Sequence, residues 1–127
     1  MVRTGYEIKK ETLNEDKIKV IMTIVSGLIH GDFKRLKWIS QSSSPLLIDM
    51  YAILNQGQVK IFLIGLDSKS NVISSNRLVD TFQCNLSYNN TVKEQTFPVG
   101  GVTPKDLGKL AHNIFKWIKE QMKNVPE

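Results

Sequence analysis

The chain has 127 residues, 41% hydrophobic and 23% charged, with seventeen Lys and Arg against twelve Asp and Glu and a formal net charge of +5. These figures describe one domain over residues 1–127, long enough to bury roughly two-thirds of its unfolded surface without a disulfide or a metal. The single Cys84 excludes an intramolecular disulfide and fits a reducing compartment. The longest run without a formal charge, residues 20–31, is twelve residues against the twenty or so of a spanning helix. Arg3, Glu7, Lys9, Lys10 and Glu11 break the apolar centre that a secretory signal needs. The expectation is an intracellular protein, soluble or peripheral at a membrane, neither secreted nor transmembrane. The sequons at Asn85 and Asn89 carry no weight without secretion.

In chain order, residues 6–13 alternate loosely and read as a short, charged edge strand or an ordered arm. Asn14 is a helix cap, with Glu15 and Asp16 in the first turn where carboxylates suit the helix dipole. A helix then runs to about Ile29, with Ile18, Ile21, Met22, Val25, Leu28 and Ile29 at helical spacing. Gly31 and Asp32 read as a stop and a new cap, opening a second short helix through Phe33, Leu36 and Ile39. Residues 41–44 are a polar run before Pro45.

Residues 46–66 form a hairpin around Asn55-Gln56-Gly57-Gln58, since glycine supplies the positive φ of a tight turn. With Gln56 and Gly57 as the loop, Leu54 faces Val59, Ala52 faces Ile61 and Met50 faces Leu63. That register makes one face wholly apolar and leaves Asp49, Tyr51, Ile53, Lys60, Phe62 and Ile64 on the other. Residues 67–76, rich in Ser and Asn, are a surface loop. A second hairpin sets Phe82, Cys84, Leu86 and Tyr88 against Thr81, Gln83, Asn85 and Ser87. It turns at Asn89-Asn90 and returns over residues 91–99. Thr103, Pro104 and Asp106 are the best-marked helix start in the chain: a cap, a first-turn proline and an acid three residues after the cap. The fold class is therefore α+β: an antiparallel sheet of two hairpins, an N-terminal helix pair and a C-terminal amphipathic helix.

On that last helix, Leu107, Leu110, Ala111, Ile114, Phe115, Ile118 and Met122 share a broad apolar face. Lys105, Lys109, His112, Lys116, Lys119 and Lys123 form a stripe opposite, and Trp117 falls on the flank, where an indole buries its ring and keeps its N–H wet. Residues 1–40 carry eight basic against five acidic side chains, residues 41–99 four against four, and residues 100–127 five against three. The charge excess thus belongs to the two ends. Its second concentration is Lys34, Arg35 and Lys37, interleaved with Phe33, Leu36 and Trp38. If the helices pack side by side, the two basic patches, each with a tryptophan, merge into one surface. Two readings stay open: an ordinary solvated helix face, or a surface for polyanions. Lipid headgroups and nucleic-acid phosphates leave the same footprint, and both contacts weaken with salt.

Catalytic chemistry has little support in the residue pattern. His30 and His112 have no acid at metal-ligand spacing, so neither metal nor cofactor is expected. His30 suits a helix end, and His112 belongs to the lysine stripe. Cys84 points to the inward face of a strand with no paired base. Gly100-Gly101 lacks the spacing and the Lys-Ser/Thr pair of a phosphate loop, and Asp49, Asp67 and Asp80 are scattered. An enzyme would need a concave pocket lined by His30, Cys84 or an Asp pair.

The order of elements, namely a short strand, a helix pair over residues 14–40, hairpins turning at residues 55–57 and 89–90, and a closing amphipathic helix, resembles in outline the compact matrix proteins of negative-strand RNA viruses. The resemblance spans most of the chain without a diagnostic motif. It implies self-association, coating of the inner face of a membrane and contact with a nucleocapsid, with Lys105, Lys109, Lys116, Lys119 and Lys123 facing lipid headgroups or RNA. The sequence departs from many such proteins in having no Pro-Pro-x-Tyr motif and no long basic amino-terminal tail. The leading expectation is a non-catalytic assembly or adaptor protein that binds an anionic membrane or nucleoprotein surface and other protein chains, itself included. The alternatives are a nucleic-acid-binding regulator and, third, a small enzyme or an inhibitor or immunity partner of one.

Overall fold

The structure is a computed structural model describing residues 12–67 and 79–126. Its elements are α1 (Glu15–Asp32), β1 (Trp38–Ser40), β2 (Leu47–Ile53), β3 (Gln58–Leu66), β4 (Thr81–Tyr88), β5 (Thr91–Pro98) and α2 (Pro104–Met122). The five strands form one antiparallel sheet in chain order, β1-β2-β3-β4-β5. The fold is α+β, with two helices packed on each other over one face of that sheet. The expected edge strand over residues 6–13 lies mostly outside the described residues. Its last residue, Leu13, is fully buried and bridges Val79 through two backbone hydrogen bonds of 2.7 and 2.9 Å.

Local chemistry explains the helix starts. The Asn14 side chain accepts from Lys17 N at 3.1 Å and satisfies one of the amides that a helix leaves without a partner. Ile18, Ile21, Met22, Val25 and Ile29 are buried along one side of α1. The helix continues through Gly31 to Asp32, beyond the expected end near Ile29. Both helices start at the same end of the sheet. Leu13, just before α1, is tied to Val79, and Val99, just before α2, donates to the carbonyl of Asp80 at 2.9 Å.

Three expectations are corrected. Residues 33–40 do not form the expected second helix: Leu36 N reaches the carbonyl of Phe33 at 3.1 Å in a single turn, and Trp38, Ile39 and Ser40 then pair with Ala52, Tyr51 and Met50. The spacing of Phe33, Leu36 and Ile39 imitates a helical period, but an aromatic and a β-branched residue beside an open sheet edge favour the extended form. The sheet holds more than the two expected hairpins, because β1 adds a fifth strand beside β2, and the hairpins join where β3 and β4 pair along their length from Val59↔Tyr88 to Leu66↔Thr81. The first hairpin is shifted by two residues from the expected register, with Ala52↔Val59, Met50↔Ile61 and Ile48↔Leu63. Leu54 N bonds the carbonyl of Gly57, so the loop holds residues 54–57, and Gly57 takes a φ of +91°. A shift of two keeps every side chain on its expected face. The second hairpin forms as expected, with Asn89 at a φ of +53° in its turn.

Candidate anion-binding face

α2 is oriented by its first turn. The Thr103 hydroxyl accepts from Asp106 N at 3.2 Å and donates to Asp106 Oδ2 at 2.7 Å, while Thr103 N donates to the same oxygen at 3.2 Å. This reciprocal box holds the Asp106 carboxyl below the usual carboxylate range, through the side-chain and backbone hydrogen bonds from Thr103 first and through Lys109 and Lys105 second. Gly101 lies against it, and a Cβ there would displace the Asp106 carboxylate from its place in the box. With the start fixed, Leu107, Leu110, Ala111, Ile114, Phe115, Ile118 and Met122 are all buried as expected. The same geometry turns Lys105, Lys109, His112, Lys116, Lys119 and Lys123 outward, and all six are exposed. His112 Nδ1 lies 2.8 Å from the carbonyl of Gly108. A carbonyl only accepts, so Nδ1 carries the proton and Nε2 faces away from the helix backbone.

The stripe meets the second basic segment through two contacts. Lys119 Nζ lies 3.2 Å from Asp32 Oδ2, and the Phe33 and Phe115 rings pack with centroids 6.2 Å apart at 52°. The last turn of α1 and the Lys34, Arg35 and Lys37 turn that follows it therefore lie beside the middle of α2. Lys34, Arg35 and Lys37 are exposed, and no ion pair holds any of them among the described residues. The stripe is partly neutralised, because Lys123 also pairs with Glu120 at 3.1 Å. Both pairs are well exposed, so each contributes only about 0–1 kcal/mol and leaves its cation open to a stronger anion. Asp32 is the neighbour that sequence reasoning missed, since only tertiary packing brings it to the stripe.

The tryptophans are not gathered with the lysines. Trp117 lies on the β5 side of α2, edge-on to Phe97 with centroids 6.2 Å apart at 75°. Trp38 lies on β1, at the opposite edge of the sheet. The two basic segments are neighbours through Asp32–Lys119 and Phe33–Phe115, while their tryptophans sit at opposite edges. Of the exposed large apolar side chains, Ile39, Ile53 and Val92 are on strands, at positions alternate to the core face, and Val20 is on α1. None belongs to the lysine stripe.

The remaining candidates are dispersed. Cys84 is fully buried, and burial pushes its thiol up to about 12. His30 is exposed and lines a cleft beside α1 together with Asp49, whereas Asp80 is buried at the other end of the sheet and accepts from the Thr81 hydroxyl at 3.2 Å. Among the described residues no group of three or more His, Cys, Asp or Glu is placed to hold a metal ion, and no helix is long and apolar enough to cross a membrane. Comparison with protein-family models, curated proteins and solved structures gives no match.

Proposed function

We propose that the protein is a non-catalytic basic assembly or adaptor protein whose helical face binds an anionic surface. The observation that carries this reading is the pairing of Asp32 with Lys119 and of Phe33 with Phe115, which sets Lys34, Arg35 and Lys37 beside the stripe of Lys105, Lys109, His112, Lys116, Lys119 and Lys123. The two segments together carry eight Lys and Arg, with Asp32, Asp106 and Glu120 as the carboxylates within or next to them. A face with charge and no exposed aromatic favours attraction without insertion or base stacking. An anionic bilayer is the partner that best fits, since each nearby lysine adds about 1 kcal/mol to reversible attachment. A matrix-like coat protein that also self-associates is the particular form of this reading.

The second reading, a nucleic-acid-binding regulator, rests on the same cations, because phosphate neutralisation gives the same salt dependence. Sedimentation with phosphatidylserine vesicles and a gel shift with RNA and duplex DNA, both across salt, separate the two. Replacing Lys109 and Lys116 with Gln should weaken vesicle binding about thirtyfold, from roughly 2 kcal/mol of lost attraction. Binding unchanged in every assay would mean that the stripe is only solvated.

A further inference from the structure

The sheet has a second face, turned away from the helices. Alternation along the strands puts Ile39 of β1, Asp49, Tyr51 and Ile53 of β2, and Lys60 and Phe62 of β3 on it, since the residues between them, such as Met50 and Ile61, belong to the core under the helices. Toward one end of this face Ile64 and Leu66 are buried, whereas near the β2–β3 turn Ile53 is 66% exposed and Ile39 beside it 38%. The pairs Tyr51↔Lys60 and Asp49↔Phe62 draw a four-cornered patch, with two aromatic rings on one diagonal and two opposite charges on the other. Both charges are unspent. No ion pair holds Asp49 or Lys60, with each other or with any other described residue. Glu94, further along the same face on β5, is already engaged, accepting from Gln83 Nε2 at 3.0 Å.

This patch is its own complement. Neighbouring strands lie about 4.8 Å apart and alternate residues about 6.8 Å apart along a strand, so a two-fold axis parallel to the sheet along the Tyr51–Phe62 diagonal sets each ring against the same ring of a second copy. It also brings Asp49 over the second copy's Lys60, and Lys60 over the second copy's Asp49. The same rotation carries Ile53 to about 3 Å, in projection, from the second copy's Ile39, so the two most open apolar side chains of the patch cover each other. The strands of the two sheets then cross at roughly 70°, near the orthogonal class of sheet packing. Reciprocal contacts of this kind are what a two-fold interface demands. A polyanion would meet Asp49 and Glu94 here with Lys60 as the single cation, so this face does not repeat the α2 stripe. We propose that the protein forms a two-fold dimer through the outer face of its sheet, with reciprocal Asp49–Lys60 contacts around paired Tyr51 and Phe62 rings. The patch covers roughly 300 Å2 in projection against the ~800 Å2 per partner of a standard interface, so the dimer is reversible and concentration-dependent. It gives a surface to the self-association named above and uses no residue of the lysine stripe, so either can fail alone.

Sedimentation velocity over a concentration series reads the pair directly. The parent should pass from monomer to dimer as its concentration rises. Asp49→Lys and Lys60→Asp each set like charges against one another across the axis, and each should weaken the dimer at least tenfold with the melting temperature retained. Mixed in equal amounts, the two variants should pair again as a heterodimer, because one copy then presents two lysines and the other two aspartates. A contact within one chain cannot produce that rescue. Ile53→Asp should also weaken the dimer at least tenfold, while Lys109→Gln with Lys116→Gln should leave it unchanged. A parent that stays monomeric up to about 1 mM would overturn the proposal. So would a dimer undiminished in both folded charge variants, folded charge variants that do not pair when mixed, or a dimer lost with the α2 changes.

Discussion

Replacing Thr103 with Ala removes the hydroxyl at the centre of the α2 start. Two interactions go with it: the 3.2 Å bond accepted from Asp106 N and the 2.7 Å bond donated to Asp106 Oδ2. Loss of such a cap costs about 1 kcal/mol, within a range of about 0.5–2, so the melting temperature should fall by about 3–6 °C in a chain of this length. The effect has a pH signature because Asp106 takes part. Its folded-state pKa lies below the unfolded one, so the stabilisation it brings is complete above the unfolded value and is lost as pH falls through the folded value. The gap between parent and Thr103→Ala should therefore be widest at neutral pH and narrow in acid. Thermal unfolding followed by circular dichroism from pH 7 down to about pH 3 measures it. A gap that stayed constant over that range, or no gap at pH 7, would refute the capping-box argument.

Further expectations concern the core and the sheet. Cys84, with its thiol pushed up to about 12 by burial, should resist alkylation at pH 8 in the folded protein and react on denaturation. Labelling at the rate of a free thiol would contradict its placement. Gly65 has Val79 Cγ2 only 2.6 Å from where a Cβ would stand, so Gly65→Ala should destabilise by about 1–3 kcal/mol in urea unfolding. Ile114 is fully buried between α2 and the sheet, and Ile114→Ala should cost about 2–5 kcal/mol.

Periodicity was enough to reveal the parts of the molecule that rest on local pattern. The apolar face of α2 and its cap could be read from Thr103, Pro104 and Asp106 onward, because capping and a 3.6-residue period are both local. The β4–β5 hairpin could be read from strict alternation and two asparagines in the turn. Residues 33–40 could not, since three residues of strand carry too little alternation to outweigh a chance three-residue spacing, and β1 exists only because β2 offers it an edge. The β2–β3 register was wrong by two because a turn of four residues and one of two leave the same sides facing inward. The stripe on α2 was legible in the lysine spacing. Its junction with Lys34 and Arg35 depends on Asp32 meeting Lys119 and Phe33 meeting Phe115, contacts between residues more than eighty apart. The cleft beside α1 left no sequence signal, because its walls come from an α1 flank, a serine-rich turn and an edge strand that are not periodic together.

If the two basic segments act as one face, binding to a single preparation of phosphatidylserine vesicles at fixed salt depends on both. Lys109→Gln with Lys116→Gln and Lys34→Gln with Arg35→Gln should each weaken binding about thirtyfold, and the four changes together about a thousandfold, as contributions to one contact. An unchanged affinity for either pair, in protein that melts at the parent temperature, would show that the two segments do not meet the same surface.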